Sequence, residues 1–254
     1  MMTSTPRLLI TLAVVAGASA LILAGAYNLT KAAIDDQERN ASAKALTAIL
    51  FADRDGEGNF TLDVKAANEE KTVLALFRPN DPKPVYYAAT GAGSGYNPGV
   101  PIRAIVVFTN PEREARTLLA PYLAEGDLPA AGEKGVFLVG FRVVASAETP
   151  GLGEKIRDTR PTRTWADIVR GRPQNASPDS ATDFQRQFRG RDPRAMRLKK
   201  DNGDLDVITG ATVTTRGLTA AFRDARRLLA EALGIPETET APGSVPDVET
   251  HASD

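Results

Sequence analysis

The run Asp206-Val207-Ile208-Thr209-Gly210-Ala211-Thr212-Val213-Thr214-Thr215 joins a strand-like segment to the last helical pattern of the chain. Beyond it, Leu218, Ala221, Phe222, Ala225, Leu228, Leu229, Ala232 and Leu233 recur at helical spacing, which predicts a helix with one apolar face. Thr214 and Thr215 stand where an N-cap belongs, and Gly234 followed by Pro236 supplies a stop signal. Thr212 is then a hydroxyl presented just ahead of a helix N-terminus. Free N–H groups and the positive end of the helix dipole favour a phosphate at such a place. Taken alone, the stretch also reads as an ordinary capped helix.

Upstream, strand-like runs cover 60–64, 72–77, 85–89, 102–109 and 136–144. Pro101 and Asn110-Pro111 bound the fourth of these sharply. Residues 111–125 predict a short helix and loop inserted between two strands. A helical turn is expected at 165–169, and mostly loop from 170 to 193 with a short helix near 184–188. Several strands followed by a terminal helix predict an α+β fold with an antiparallel sheet.

Leu8 to Thr30 is a run of 23 residues without a charge. About 20 helical residues cross the hydrocarbon core, so one transmembrane helix is expected, although Ala24-Gly25-Ala26 also resembles a signal-peptide cleavage site. Arg7 before the span, against Asp35 and Asp36 after Lys31, predicts a cytoplasmic N-terminus and an exported body. The expected organisation is an anchor at 1–30, a helical linker at 31–55, a globular domain at 56–235 and a disordered acidic tail at 236–254.

Composition narrows the chemistry. The 31 basic and 32 acidic residues give a net charge of −1, which argues against a nucleic-acid polyelectrolyte role. The tail holds five of the acids and no Lys or Arg, whereas 157–200 holds twelve Lys or Arg against five Asp. That basic segment reads first as a solvated face. There is no cysteine, and the single histidine, His251, falls in the tail. Thiolate metal sites, protein-ligated iron–sulfur clusters, Cys nucleophiles and histidine triads are thereby excluded. Any redox chemistry must then come from an organic cofactor.

Two further stretches stand out. Gly91-Ala92-Gly93-Ser94-Gly95-Tyr96-Asn97-Pro98-Gly99 is no dinucleotide fingerprint, since its third glycine is missing at position 96 and no helix follows. It reads as a turn, or as a backbone loop close to a planar ligand. Glu148-Thr149-Pro150-Gly151-Leu152-Gly153-Glu154-Lys155 follows directly on a strand and forms a bent loop whose backbone admits close approach. The pairs Glu148/Glu154 and Asp204/Asp206 read as turn and capping residues rather than as acid–base dyads.

Gly-x-Gly-Tyr before a strand, Glu-Thr-Pro-Gly-Leu-Gly after the next, and Asp-x-x-Thr-Gly-Ala-Thr before a terminal helix occur here in that order. Together with the N-terminal span, they resemble the FMN-binding domain family, whose domain is shared by the Rnf electron-transport complex and the sodium-pumping NADH:quinone reductase. The Rnf branch is the nearer of the two in its Gly-Tyr-x-x-Gly-x-Pro-Ile flavour, here Gly95 to Ile102. The resemblance implies FMN joined covalently, through its phosphate, to Thr212 by a separate Mg²⁺-dependent flavin transferase. It places Thr209, Gly210, Ala211, Val213 and Thr214 around the phosphate, and gives Asp206 a part in transferase recognition. Thr149, Gly151, Leu152 and Gly153 are expected along the flavin ring, with Tyr96 nearby. It assigns the chain no catalytic residue of its own and no metal. Its implied partners are the other membrane subunits, the transferase and the membrane itself. The implied function is electron transfer coupled to ion translocation, from the extracytoplasmic side of a bacterial inner membrane. The alternatives are an FMN carrier of another electron route and a non-redox anchored binding module. This chain departs from the pattern in having Thr209 for the commoner serine, Ala145-Ser146-Ala147 where a histidine is frequent, and a longer insertion at 111–132.

Overall fold

The computed structural model describes residues 5–57, 59–158 and 179–236. They fall into two compact units, Met1–Lys44 and Ala45–Asp254. Helix α1 (Thr5–Ile49) makes up the described part of the first unit and runs on into the second. Its portion Leu9–Lys31 is long and apolar enough to cross a membrane, and its large side chains are exposed. The helix continues past Lys31 without a break, and residues 45, 46, 49 and 50 are buried in the core of the second unit.

That second unit is built on a five-stranded antiparallel meander: β1 (Asp63–Ala66), β2 (Val73–Phe77), β3 (Tyr86–Gly93), β4 (Ile102–Thr109) and β5 (Leu138–Ala145). Sheet and helices together give the expected α+β architecture. The first strand starts later than expected, and Phe60 forms only an isolated bridge with Arg54. Alternation along β4 explains why both faces are covered. Ile102, Ala104, Val106 and Phe108 point into one core, Ile105 and Val107 into the other, and all six are buried. Helix α2 (Ala115–Leu119), from the insertion at 111–132, closes the second face with Ala115, Leu118 and Leu119. Tyr122 follows it and donates to the buried Asp53 carboxylate at 2.9 Å, which also accepts from Arg78.

The first face is covered by α4 (Thr212–Leu233), reached through the short α3 (Asp183–Arg186) and a 3₁₀ turn at Lys199–Asp201. Leu218, Phe222 and Leu229 are fully buried there, each contributing roughly 1.5–3 kcal/mol of burial. Gly234, at φ 65°, ends the helix, and the Ile235 N–H turns back to the Ala230 carbonyl at 2.9 Å. The expectations at 165–169, at 170–178 and for the tail beyond 236 lie outside the described residues.

The glycines at 91 and 93 belong to β3, which corrects their expected place in a ligand loop. Their closeness is to the helix. A Cβ on Gly93 would stand 2.0 Å from the Gly217 carbonyl oxygen, and one on Gly91 would stand 1.9 Å from that of Ala221. Strand and helix backbones therefore touch directly, and neither can give way as a side chain could. Gly93→Val should lower stability by about 1–3 kcal/mol or more, measured as a lower denaturant midpoint of the full chain in detergent.

Candidate flavin site

The meeting point is the first turn of α4. The helix begins at Thr212, one turn earlier than expected, with Ala211 as its N-cap and no side-chain cap. Thr214 and Thr215 are therefore inside the helix rather than capping it. The Thr215 hydroxyl donates to the Ala211 carbonyl at 3.0 Å and accepts from the Ile208 N–H at 3.3 Å, latching the preceding loop onto the first turn. Thr214 donates its hydroxyl to the Glu148 carboxylate. With its threonines engaged elsewhere, the first turn presents N–H groups that no side chain caps.

Glu148 is 8% exposed and joins three segments distant in sequence. One oxygen accepts from the Tyr96 N–H at 3.0 Å, and the other takes the Thr214 hydroxyl. Two glycines make room for it. A Cβ on Gly95 would lie 1.9 Å from Oε1, and one on Gly153 would lie 2.8 Å from Oε2 and 2.7 Å from the Thr214 oxygen. Reading Glu148 as a turn residue is thus corrected: as the first residue of the second motif, it accepts from Tyr96 of the first and from Thr214, just past the third. Glu154, its neighbour in the loop, is exposed.

The loop after β5 folds on itself, with Leu152 and Glu154 N–H groups both donating to the Thr149 carbonyl at 3.2 Å. Gly151 takes φ 75°, and a 3₁₀ turn (Gly153–Arg157) follows. A Cβ on Gly210, itself at φ 81°, would meet a Leu152 methyl at 3.2 Å, so the loop leans over the Thr209-Gly210 corner. Thr149, Thr209 and Gly210 are exposed, and Ala211 is buried. Tyr96, Leu152 and Val213 are 71%, 43% and 47% exposed, and each adjoins a residue of the Glu148–Thr214 cluster. Large apolar groups left open beside an uncapped helix start suit a planar, phosphorylated ligand.

Charge around the threonine is ordered by the Lys199–Asp201 turn. Lys199 pairs with Asp206 at 2.7 Å, and Asp201 holds the Arg216 guanidinium through two hydrogen bonds. That guanidinium keeps the Asp201 carboxyl below the ordinary aspartate range. Between them, Lys200 donates to the Thr212 hydroxyl at 2.9 Å. Neither Glu148 nor Lys200 was legible as a site residue; only the motif position of Glu148 hinted at one.

The arrangement is a half-open surface with a threonine hydroxyl at an uncapped helix start, chemistry that suits a phosphorylated ligand. The FMN-binding domain family model matches residues 131–227, and the chain carries a domain of that family. Among named proteins, it is similar to the ion-translocating oxidoreductase complex component designated G of Aliivibrio fischeri (strain MJ11), 25% identical over 227 residues covering 89% of this chain and 90% of the relative. The component of the same name from Salmonella typhi is 26% identical over 228 residues, covering 88% and 90%. That of Yersinia pestis reaches 34% identity over 88 residues, about a third of each chain.

Proposed function

We propose that this chain is the membrane-anchored flavoprotein subunit of an ion-translocating oxidoreductase complex, carrying FMN as a phosphoester on Thr212. The family match supports the cofactor, and the named relatives support an electron-transferring part in a redox complex. The observation that supports the tether is the convergence of three separated segments at the uncapped first turn of α4, where Glu148 on one accepts from Tyr96 and Thr214 on the other two. Bound FMN supplies one- and two-electron transfer; the protein supplies position and environment.

In this reading Thr212 fixes the phosphate, and the open N–H groups of the first turn stabilise its charge. Tyr96, Leu152 and Val213 offer apolar surface to the ring, and Glu148 keeps those three segments in register. Thr209, Gly210 and Ala211 shape the corner that leads into the helix. The apolar span Leu9–Lys31 supports anchoring of a domain at 56–235 in the inner membrane. The finer reading places that domain on the extracytoplasmic side, with ferredoxin-to-NAD electron flow coupled to ion translocation. A flavin transferase then loads Thr212, and other membrane subunits complete the complex.

The test is the intact mass of the full chain, extracted from membranes after co-expression with a flavin transferase. The wild-type chain should gain the mass of one FMN phosphoester and in-gel flavin fluorescence, and Thr212→Ala should abolish both. A wild-type chain without added mass sinks the tether.

A further inference from the structure

We propose that Lys200 is a positioning residue for flavin attachment, supplying the countercharge to the phosphate on Thr212. The inference rests on the Thr212 tether. Its starting observation is the 2.9 Å contact between Lys200 Nζ and Thr212 Oγ1. An exposed lysine gains little by donating to a neutral hydroxyl, yet several constraints hold this one in place. The residues on either side of it are fastened to residues on both sides of Thr212: Lys199 to Asp206 and Asp201 to Arg216. Asn202, at φ 57°, then reverses the chain, and the Lys199 and Gly203 N–H groups close the turn onto the Leu205 and Leu198 carbonyls at 2.8 and 2.9 Å. Gly203 is required there, since a Cβ would fall 2.1 Å from the Arg197 carbonyl oxygen.

The pattern of charges gives the clamp its purpose. Among the described residues, Lys199 and Arg216 each face a carboxylate, whereas Lys200 meets none and points at the hydroxyl. Attachment changes what it faces. The Thr212 oxygen bonds to the flavin-side phosphorus of FAD, the pyrophosphate bond breaks, and AMP leaves. The hydroxyl proton passes to the transferase or solvent, and no electrons are exchanged. The product is a phosphodiester bearing one negative charge within reach of Nζ. Lys200 is no reactant in the step, and the new charge makes its contact a charge-assisted one. The open helix start supplies the remaining donors.

The test uses the full chain in detergent with purified flavin transferase, FAD and Mg²⁺, following FMN attachment by intact mass. Lys200→Met should slow attachment about tenfold at low salt, and the gap should narrow as salt screens the charge. Lys200→Arg should restore most of the rate. Lys65→Met, on the β1 edge, should leave it unchanged. The unloaded Lys200→Met chain should melt with wild-type protein, while the melting-temperature gain on loading should shrink. Equal attachment rates for Lys200→Met and wild type, at all salt concentrations, overturn the proposal while leaving the Thr212 tether intact. A wild-type chain that gains no mass overturns both.

Discussion

Glu148→Ala should remove most flavin loading and cost the folded domain about 2–4 kcal/mol, because a buried hydroxyl and a half-buried N–H lose one acceptor at once. The Tyr96 N–H and the Thr214 hydroxyl both end on this carboxylate. Alanine leaves each without its partner, in the space that Gly95 and Gly153 open for the carboxylate. Glu148→Gln keeps the volume and one acceptor oxygen, but its amide group presents a donor to a site that already supplies donors. It should fall between wild type and alanine in both readouts. The stability loss is read from denaturant midpoints of the full chain in detergent, and loading from intact mass after co-expression with a transferase. Should Glu148→Ala load as completely as wild type, the carboxylate would be a local staple with no bearing on Thr212. Thr214→Val makes the complementary change: it removes one donor and leaves the Tyr96 bond, so its loss should be about 1 kcal/mol smaller.

Local patterning made most of the sheet readable. Strand β4 is bounded by Pro101 and Asn110, and its apolar run fits a strand buried on both faces, so it is found where expected. The terminal helix was readable from its spacing, and its stop from Gly234. Its start was not. Thr214 and Thr215 carry the side chains of good caps, but a carboxylate 66 residues away claims the first and the preceding loop claims the second. Likewise, Gly91 and Gly93 look like loop residues in a single sequence but pair with Ala104 and Ile102 in the sheet, and the helix backbone against them leaves no room for a Cβ. The three motifs were legible one by one, whereas the partner that joins them was not. Pairings across 52 and 66 residues leave no periodic trace. The same holds for Lys200, which reaches Thr212 only because a left-handed Asn202 reverses the chain between them.

A second large loss is expected at the buried pair that closes the 179–189 segment on itself. Asp179 and Arg189 are 8% and 7% exposed, and the guanidinium donates to both carboxylate oxygens at 2.9 and 2.8 Å. Arg186 adds a third donor, and the Ala181 N–H a fourth, both at 3.0 Å. Arg189 in turn lies over the Phe51 ring and donates to the Tyr122 carbonyl, so it reaches the core of the opposite face. Asp179→Asn should therefore cost about 3–5 kcal/mol, since it leaves a buried guanidinium without its counterion. In a domain of this size, that is a fall in melting temperature on the order of 10 °C. The double variant Asp179→Leu/Arg189→Met removes both charges together and should recover much of the loss, because neither partner is then stranded. The pH dependence has a defined sign. Burial pushes the Asp179 carboxyl up, but the Arg189 hydrogen bonds, the Ala181 N–H and the two arginine charges outweigh it and hold the group at about 2, against an ordinary 3.8. A folded-state value below the unfolded one stabilises the protein above the unfolded value, and that contribution is lost as pH falls through the folded one. The stability gap between wild type and Asp179→Asn should accordingly be full above pH 3.8 and close as pH falls towards about 2. A gap that stayed constant across that window would show that the carboxylate's charge does not hold the segment in place.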